Sequence, residues 1–165
     1  MKIRNTHRRH LAATIGEVDI LLGGLGSDTD ALWPRHLWFP MRLDRPIAAG
    51  AKGGHGPVRY HCTVRAPGRV LFEFNSILGS TYWHGGHRFV VHPHPDGSVL
   101  VHELDLEVPL RQYVQWILLV GPLHDAVLED LLDGADGAST ARWSLWVRLL
   151  RRALPAVRKG RPINS

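Results

Sequence analysis

The middle of the chain alternates apolar and polar residues with period two, and the segment after it is spaced for a helix. Val58, Tyr60, Cys62 and Val64 fall on one face, while Arg59, His61, Thr63 and Arg65 fall on the other. Pro67-Gly68 marks a turn into a second strand, where Val70, Phe72 and Phe74 share a face. A third strand covers His87 to His92 and a fourth covers Val99 to Val108. His94-Pro-Asp-Gly-Ser forms the hairpin between them. This spacing is that of an antiparallel meander. From Pro109 to about Leu132 the period becomes helical. Trp116, Leu119, Val120, Leu123, Val127, Leu128 and Leu131 make a wide apolar stripe. Gly121-Pro122 predicts a kink or break inside it, because proline has no N–H for the helix ladder. Gly134 and Gly137 end the element. Upstream, residues 3–12 read as a first strand and Ile15–Leu22 as a helix interrupted by Gly23, Gly24 and Gly26. Asp28 to Pro34 reads as a short second helix. Residues 34–56 read as a long irregular connection carrying Trp38, Phe39 and Met41.

These elements predict an α+β fold in which a long C-terminal helix covers a curved antiparallel sheet and leaves a hollow between them. At 165 residues the chain is long enough for one ordinary domain, and an apolar fraction of 44% excludes a disordered one. Six tryptophans imply packed surfaces, a cavity wall or an interface. The net charge of +5 is uneven. Every acid lies at or before Asp136, and seven basic side chains lie after it. The chain therefore divides into a domain over 1–136 and a basic tail over 137–165. In the tail, residues 140–154 form an amphipathic helix with Trp143, Trp146, Val147 and Leu150 on one face. Such a helix suits an anionic membrane surface or a second subunit. No recognition motif accompanies the charge, so nucleic acid is not an expected partner. Cys62 is the only cysteine, and no long apolar run comes after the basic N-terminus. Both point to the cytoplasm, where the tail would make the chain peripheral if it meets a membrane and not a second subunit.

The chemistry rests on histidine. His87 shares a strand face with Phe89, His102 shares one with Leu100 and Leu104, and His124 lies on or beside the helical stripe. All three can converge on the hollow as polar anchors, bases or ligands. Three histidines and an open position would suit zinc. Their spacing is not local, however, and no metal or other cofactor is expected. Glu73, Glu103 and Asp105 fall on outward strand faces. Asp125 projects about 100° from His124 and is free to cap or to bind arginine. Arg42 and Arg59 are candidates for a ligand carboxylate. Trp38, Met41, Phe89, Trp116 and Val120 are candidates for the apolar wall. Cys62 reads as a buried inert thiol. No phosphate loop or nucleophile elbow is present.

The stretches "DALWPRHLWFPMRLDRP" (30–46), "GGHGPVRYHCTVRAPGRVLFEF" (53–74), "GGHRFVVHPHPDGSVLVHELD" (85–105) and "GPLHDAVLEDLLD" (121–133) resemble the START-like superfamily. That superfamily is also called Bet v 1-like or SRPBCC, and the likeness is to its polyketide cyclase/dehydrase and lipid-transport branch. The resemblance implies a helix-grip fold with an internal cavity. It implies no shared catalytic set, and members differ widely in activity. Three functions are expected on this basis. The first is binding or carriage of an apolar or aromatic small molecule. The second is a cyclase- or dehydratase-type enzyme on such a substrate. The third is an interaction protein whose cavity is filled by side chains.

Overall fold

A computed structural model describes residues 1–138 and 142–153. Its frame is a seven-stranded antiparallel sheet in the order β1-β7-β6-β5-β4-β3-β2. The strands are β1 (Lys2–Leu11), β2 (Arg42–Leu43), β3 (Lys52–His55), β4 (Val58–Ala66), β5 (Arg69–Ile77), β6 (His84–His94) and β7 (Gly97–Glu107). The helix-grip architecture expected from the sequence is the one observed. The long C-terminal helical segment packs over one face of the sheet, and β1 closes the sheet against β7 with His7 opposite His102. The hairpin between β6 and β7 turns at His94↔Gly97. Gly97 has φ +138°, and a Cβ there would lie 2.1 Å from the Leu11 carbonyl oxygen. Only glycine fits that approach.

Helix α1 (Ile15–Gly23) starts where the sequence places it. Thr14 caps it, and Glu17 reaches back to the Thr14 N–H at 2.7 Å in a capping box. The short helix expected over Asp28–Pro34 does not form. The Asp30 carboxylate instead accepts the N–H groups of Gly26, Leu32 and Trp33 at 2.8–3.0 Å. Those donors organise a loop rather than a helical ladder. The connection over 34–56 is irregular as expected, but it contributes two short strands, β3 and the edge strand β2. The alternation from Val58 to Val64 breaks at a register shift between Cys62 and Val64. Cys62 is buried and Val64 is 37% exposed.

The C-terminal helical run comprises α2 (Leu110–Gln115), one π-turn (Trp116–Val120) and α3 (Gly121–Ala135). The expected break at Gly121-Pro122 takes the form of this π-turn, in which the Gly121 N–H reaches the Trp116 carbonyl. Pro122 has no N–H to offer the Leu118 carbonyl four residues back. That oxygen accepts instead from the Trp146 indole at 2.8 Å. Gly134 lies inside α3, so Gly137, with φ +71°, marks the end alone.

Within the basic tail, helix α4 (Leu145–Ala153) packs on the same core, with Val147 buried. The indoles of Trp38 and Trp143 both donate to one oxygen of buried Asp130, at 2.7 and 2.8 Å. The Arg151 guanidinium lies 3.6 Å from the Trp143 ring centroid and 4.4 Å from that of Trp38, so a cation–π stack locks α4 down. Residues 140, 141 and 154 of the expected amphipathic helix lie outside the described residues.

Candidate functional site

Strand parity points one row of side chains from β4 to β7 toward the helix. Tyr60, Phe72, Phe74, His87, Phe89, His102 and Leu104 come from the sheet side. Trp116, Leu119, Val120, Leu123, His124, Val127 and Leu128 come from the helical run. Between the two layers lies a cavity of about 140 Å³. Trp33, Trp38, Phe39 and His55, from the long connection and β3, close one side of it.

His87, His102 and His124 all reach this cavity. His87 Nδ1 and His102 Nε2 are 2.9 Å apart and share one proton. The His87 ring is stacked between Phe72 and Phe74, with centroids 5.1 Å from each. The His102 and His124 rings are 5.2 Å apart. Burial holds the pKa values of His87, His102 and His124 below the ordinary imidazole range, and burial pushes that of His55 down to about 3. These are neutral imidazoles. In a neutral pair sharing one proton, one outer nitrogen is a donor and the other an acceptor. Those outer atoms, His87 Nε2 and His102 Nδ1, are buried with no hydrogen-bond partner among the described residues, and so is the Tyr60 hydroxyl. Burial also raises the Tyr60 pKa, which keeps the phenol protonated.

Of the residues singled out in the sequence, Trp38, His87, Phe89, His102, Trp116, Val120 and His124 line the cavity. Met41 is buried in the main core cluster and is not among the lining residues. The two arginines are corrections. Arg42 opens an edge strand and pairs with Asp28 at 3.1 Å on the surface. Arg59 falls on the outward parity and donates to the Gly56 and Val58 carbonyls. Neither guanidinium reaches the cavity. Among the described residues, Asp125 binds no arginine. Its Oδ1 accepts from Asn5 at 2.9 Å and lies 3.2 Å from His7 Nε2. Burial works against ionisation of Asp125, but the nearby His124 imidazole and the bonds from His7 and Asn5 prevail and hold its pKa low. Two other acids, Asp30 and Asp130, are buried in the interior.

His55, His7 and Tyr60 were not recognisable as site residues in the sequence. His55 sits in a stretch without periodicity. His7 lies in a run of charged residues. Only the parity of Tyr60 marked it as inward. Among the described residues no helix is long and apolar enough to cross a membrane.

No family model matches the chain, and no curated protein does. Solved structures do. CalU16 from Micromonospora echinospora is 14% identical over 96% of this chain and 88% of its own, with a TM-score of 0.59. A norcoclaurine synthase point mutant from Thalictrum flavum, in complex with a transition-state analogue, is 14% identical over 81% and 96%, with a TM-score of 0.56. The Aha1 dimer from Colwellia psychrerythraea is 10% identical over 84% and 99%, with a TM-score of 0.59. At these identities the likeness is one of fold.

Proposed function

On the helix-grip fold of the START-like, Bet v 1-like superfamily, we propose that this chain binds a compact apolar or aromatic molecule in the cavity between sheet and helix. The observation that carries the reading is an apolar hollow with unpartnered imidazole nitrogens in its wall. Buried polar atoms without partners are costly, about 1–3 kcal/mol each, and a ligand that meets them recovers that energy. Size narrows the class. An apolar cavity of about 150 Å³ accepts benzene, and this one measures about 140 Å³. A single aromatic ring carrying one hydroxyl or carbonyl group fits both the volume and the donor–acceptor pair. A long acyl chain does not fit this conformation.

The test is a titration with phenol, indole and a long-chain fatty acid, followed by thermal denaturation and imidazole NMR. The ring compounds are expected to bind saturably and to move the His87 and His102 signals. Ligand at about 100 times its Kd adds about 2.7 kcal/mol of stability. Absence of any ring binding would refute the reading.

The histidine pair also favours a second reading, an acid–base enzyme on an aromatic substrate, since a shift of the shared proton exchanges the outer donor and acceptor. It predicts that His102→Gln retains binding and loses turnover.

The outer surface supports a source for an apolar ligand. Leu110, Val114, Ile117 and Leu118 of the helical run and Leu145, Trp146 and Leu149 of α4 are 44–83% exposed. The Trp146–Leu118 bond joins the two groups. Exposed Arg111, Arg142, Arg148 and Arg152 accompany them, and no acid occurs between residues 108 and 120 or after Asp136. An apolar patch rimmed by cations complements an anionic bilayer. Co-sedimentation with phosphatidylserine vesicles, weakened by salt, is expected. Dimerisation without vesicle binding would assign the patch to a second copy instead.

A further inference from the structure

We propose that His7, His124 and Asp125 form a binding site for a divalent first-row transition cation, with zinc the ion that fits best. The site joins edge strand β1 to helix α3. One ligand atom from each of His7, His124 and Asp125 lies within 4.8 Å of the other two. His7 Nε2 is 3.2 Å and His124 Nδ1 3.6 Å from Asp125 Oδ1.

Two further observations point to a ligand. Among the described residues, buried His124 Nδ1 has no hydrogen-bond partner, and neither does Asn5 Oδ1, whose amide holds Asp125 through Nδ2. Electron-pair donors thus gather around one carboxylate with too few protons to share. The second observation is the support behind His7. Its other nitrogen, Nδ1, is 2.7 Å from Glu129 Oε1, and Glu129 is held in turn by Arg9 at 2.8 Å. A carboxylate on the far nitrogen of an imidazole fixes the ring and its tautomer, and this arrangement backs metal-bound histidines.

Two imidazoles and one carboxylate, with no thiolate, suit zinc or its first-row neighbours over calcium or magnesium. Zinc–ligand bonds of about 2.0–2.1 Å require neighbouring donor atoms about 3.4 Å apart. Donor atoms that lie within 4.8 Å must close to that spacing as the ion binds. The cation replaces the proton that His7 Nε2 shares with Asp125, and that proton leaves to solvent. The Asp125 side chain is 51% exposed, which leaves a coordination position open to water. With Nδ1 on the metal, His124 must carry its proton on Nε2, so the cation fixes His124, a cavity-lining residue, as a donor.

The test uses the full chain after dialysis against a chelator. Calorimetry with zinc sulfate is expected to give one equivalent per chain, and cobalt(II) is expected to give the intense visible bands of a four-coordinate site. His7→Gln and His124→Gln should each weaken zinc binding at least tenfold. Glu129→Gln should weaken it about 10–100-fold with the stoichiometry kept. Loss of binding in His94→Gln would assign the ion to the surface pair His10–His94, whose nitrogens are 2.7 Å apart, and would overturn the proposal. Long-range ¹⁵N NMR of the unmutated protein decides the matter even if a variant fails to fold. Zinc must shift His7 Nε2 and His124 Nδ1, and shifts confined to other imidazoles overturn the assignment. Zinc binding and ring binding are read separately, so either can fail without the other.

Discussion

Replacing Val127 with phenylalanine tests whether the hollow is open space. Val127 is 5% exposed and lines the cavity. An empty apolar cavity costs about 24 cal/mol per Å³. A cavity of about 140 Å³ therefore carries about 3 kcal/mol of lost packing. Val127→Phe sends an aromatic ring into that space. If the ring takes up about a third of it, about 1 kcal/mol returns. For a chain of this size that is about 3 °C in Tm. The same change in a filled core costs about 1–3 kcal/mol through overpacking. The sign of the change thus separates the two cases. Thermal denaturation followed by circular dichroism is the assay, with phenol binding measured in parallel. The expected result is a Tm equal to wild type or up to about 3 °C above it, with ring binding abolished. A fall of several degrees would refute the cavity argument. Unchanged phenol binding would move the ligand elsewhere.

Acidification should destabilise the fold. His55 has an ordinary pKa of 6.5 when unfolded and about 3 when folded, so below pH 6.5 the unfolded chain takes up a proton that the folded chain refuses. Stability is then lost progressively from pH 6.5 toward 3, by about 1–2 kcal/mol at pH 5 for this group. His87, His102 and His124 act in the same direction, while His7, whose pKa is raised chiefly by its bond to Asp125, acts against them. A urea midpoint that stays flat between pH 7 and 5 would contradict this. Asp130→Leu strands two indole N–H groups and should cost about 3 kcal/mol, read from urea unfolding. Full stability in that variant would mean that Trp38 and Trp143 find other acceptors. Ile117→Glu with Leu149→Glu should abolish vesicle binding and leave phenol binding intact, and sedimentation with phosphatidylserine vesicles checks it.

The strands, the hairpin at His94–Gly97 and the inward set of His87, Phe89 and His102 were legible because period-two alternation states which side chains share a face. The stripe from Trp116 to Leu131 was legible for the same reason at helical spacing. Other features depend on contacts that periodicity does not encode. Asp125 takes its partners His7 and Asn5 from about 120 positions away. Asp30 suppresses a helix by binding three N–H groups of its own loop. Arg42 and Arg59 were chosen by residue type alone, and their neighbours in space decided otherwise. The bulge after Cys62 adds one residue to the count, so Val64 falls out of phase.

The π-turn has a consequence for how the chain aligns with its relatives. Wound as one uninterrupted α-helix, Leu110, Val114 and Ile117 would line up with Gly121, His124, Leu128 and Leu131, every three or four residues, on the face toward the sheet. The extra residue of the turn rotates α2 by about 100°. Buried Gln112 thereby replaces Leu110 and Val114 on the inner face, and those two become exposed. A π-turn is in effect a one-residue insertion. Relatives with a continuous helix should therefore show a one-residue gap between Pro109 and Pro122, and in them the outer apolar patch should be polar. Deleting a single residue from 117–119 should likewise leave both helix faces where they are and convert the turn to regular α-helix.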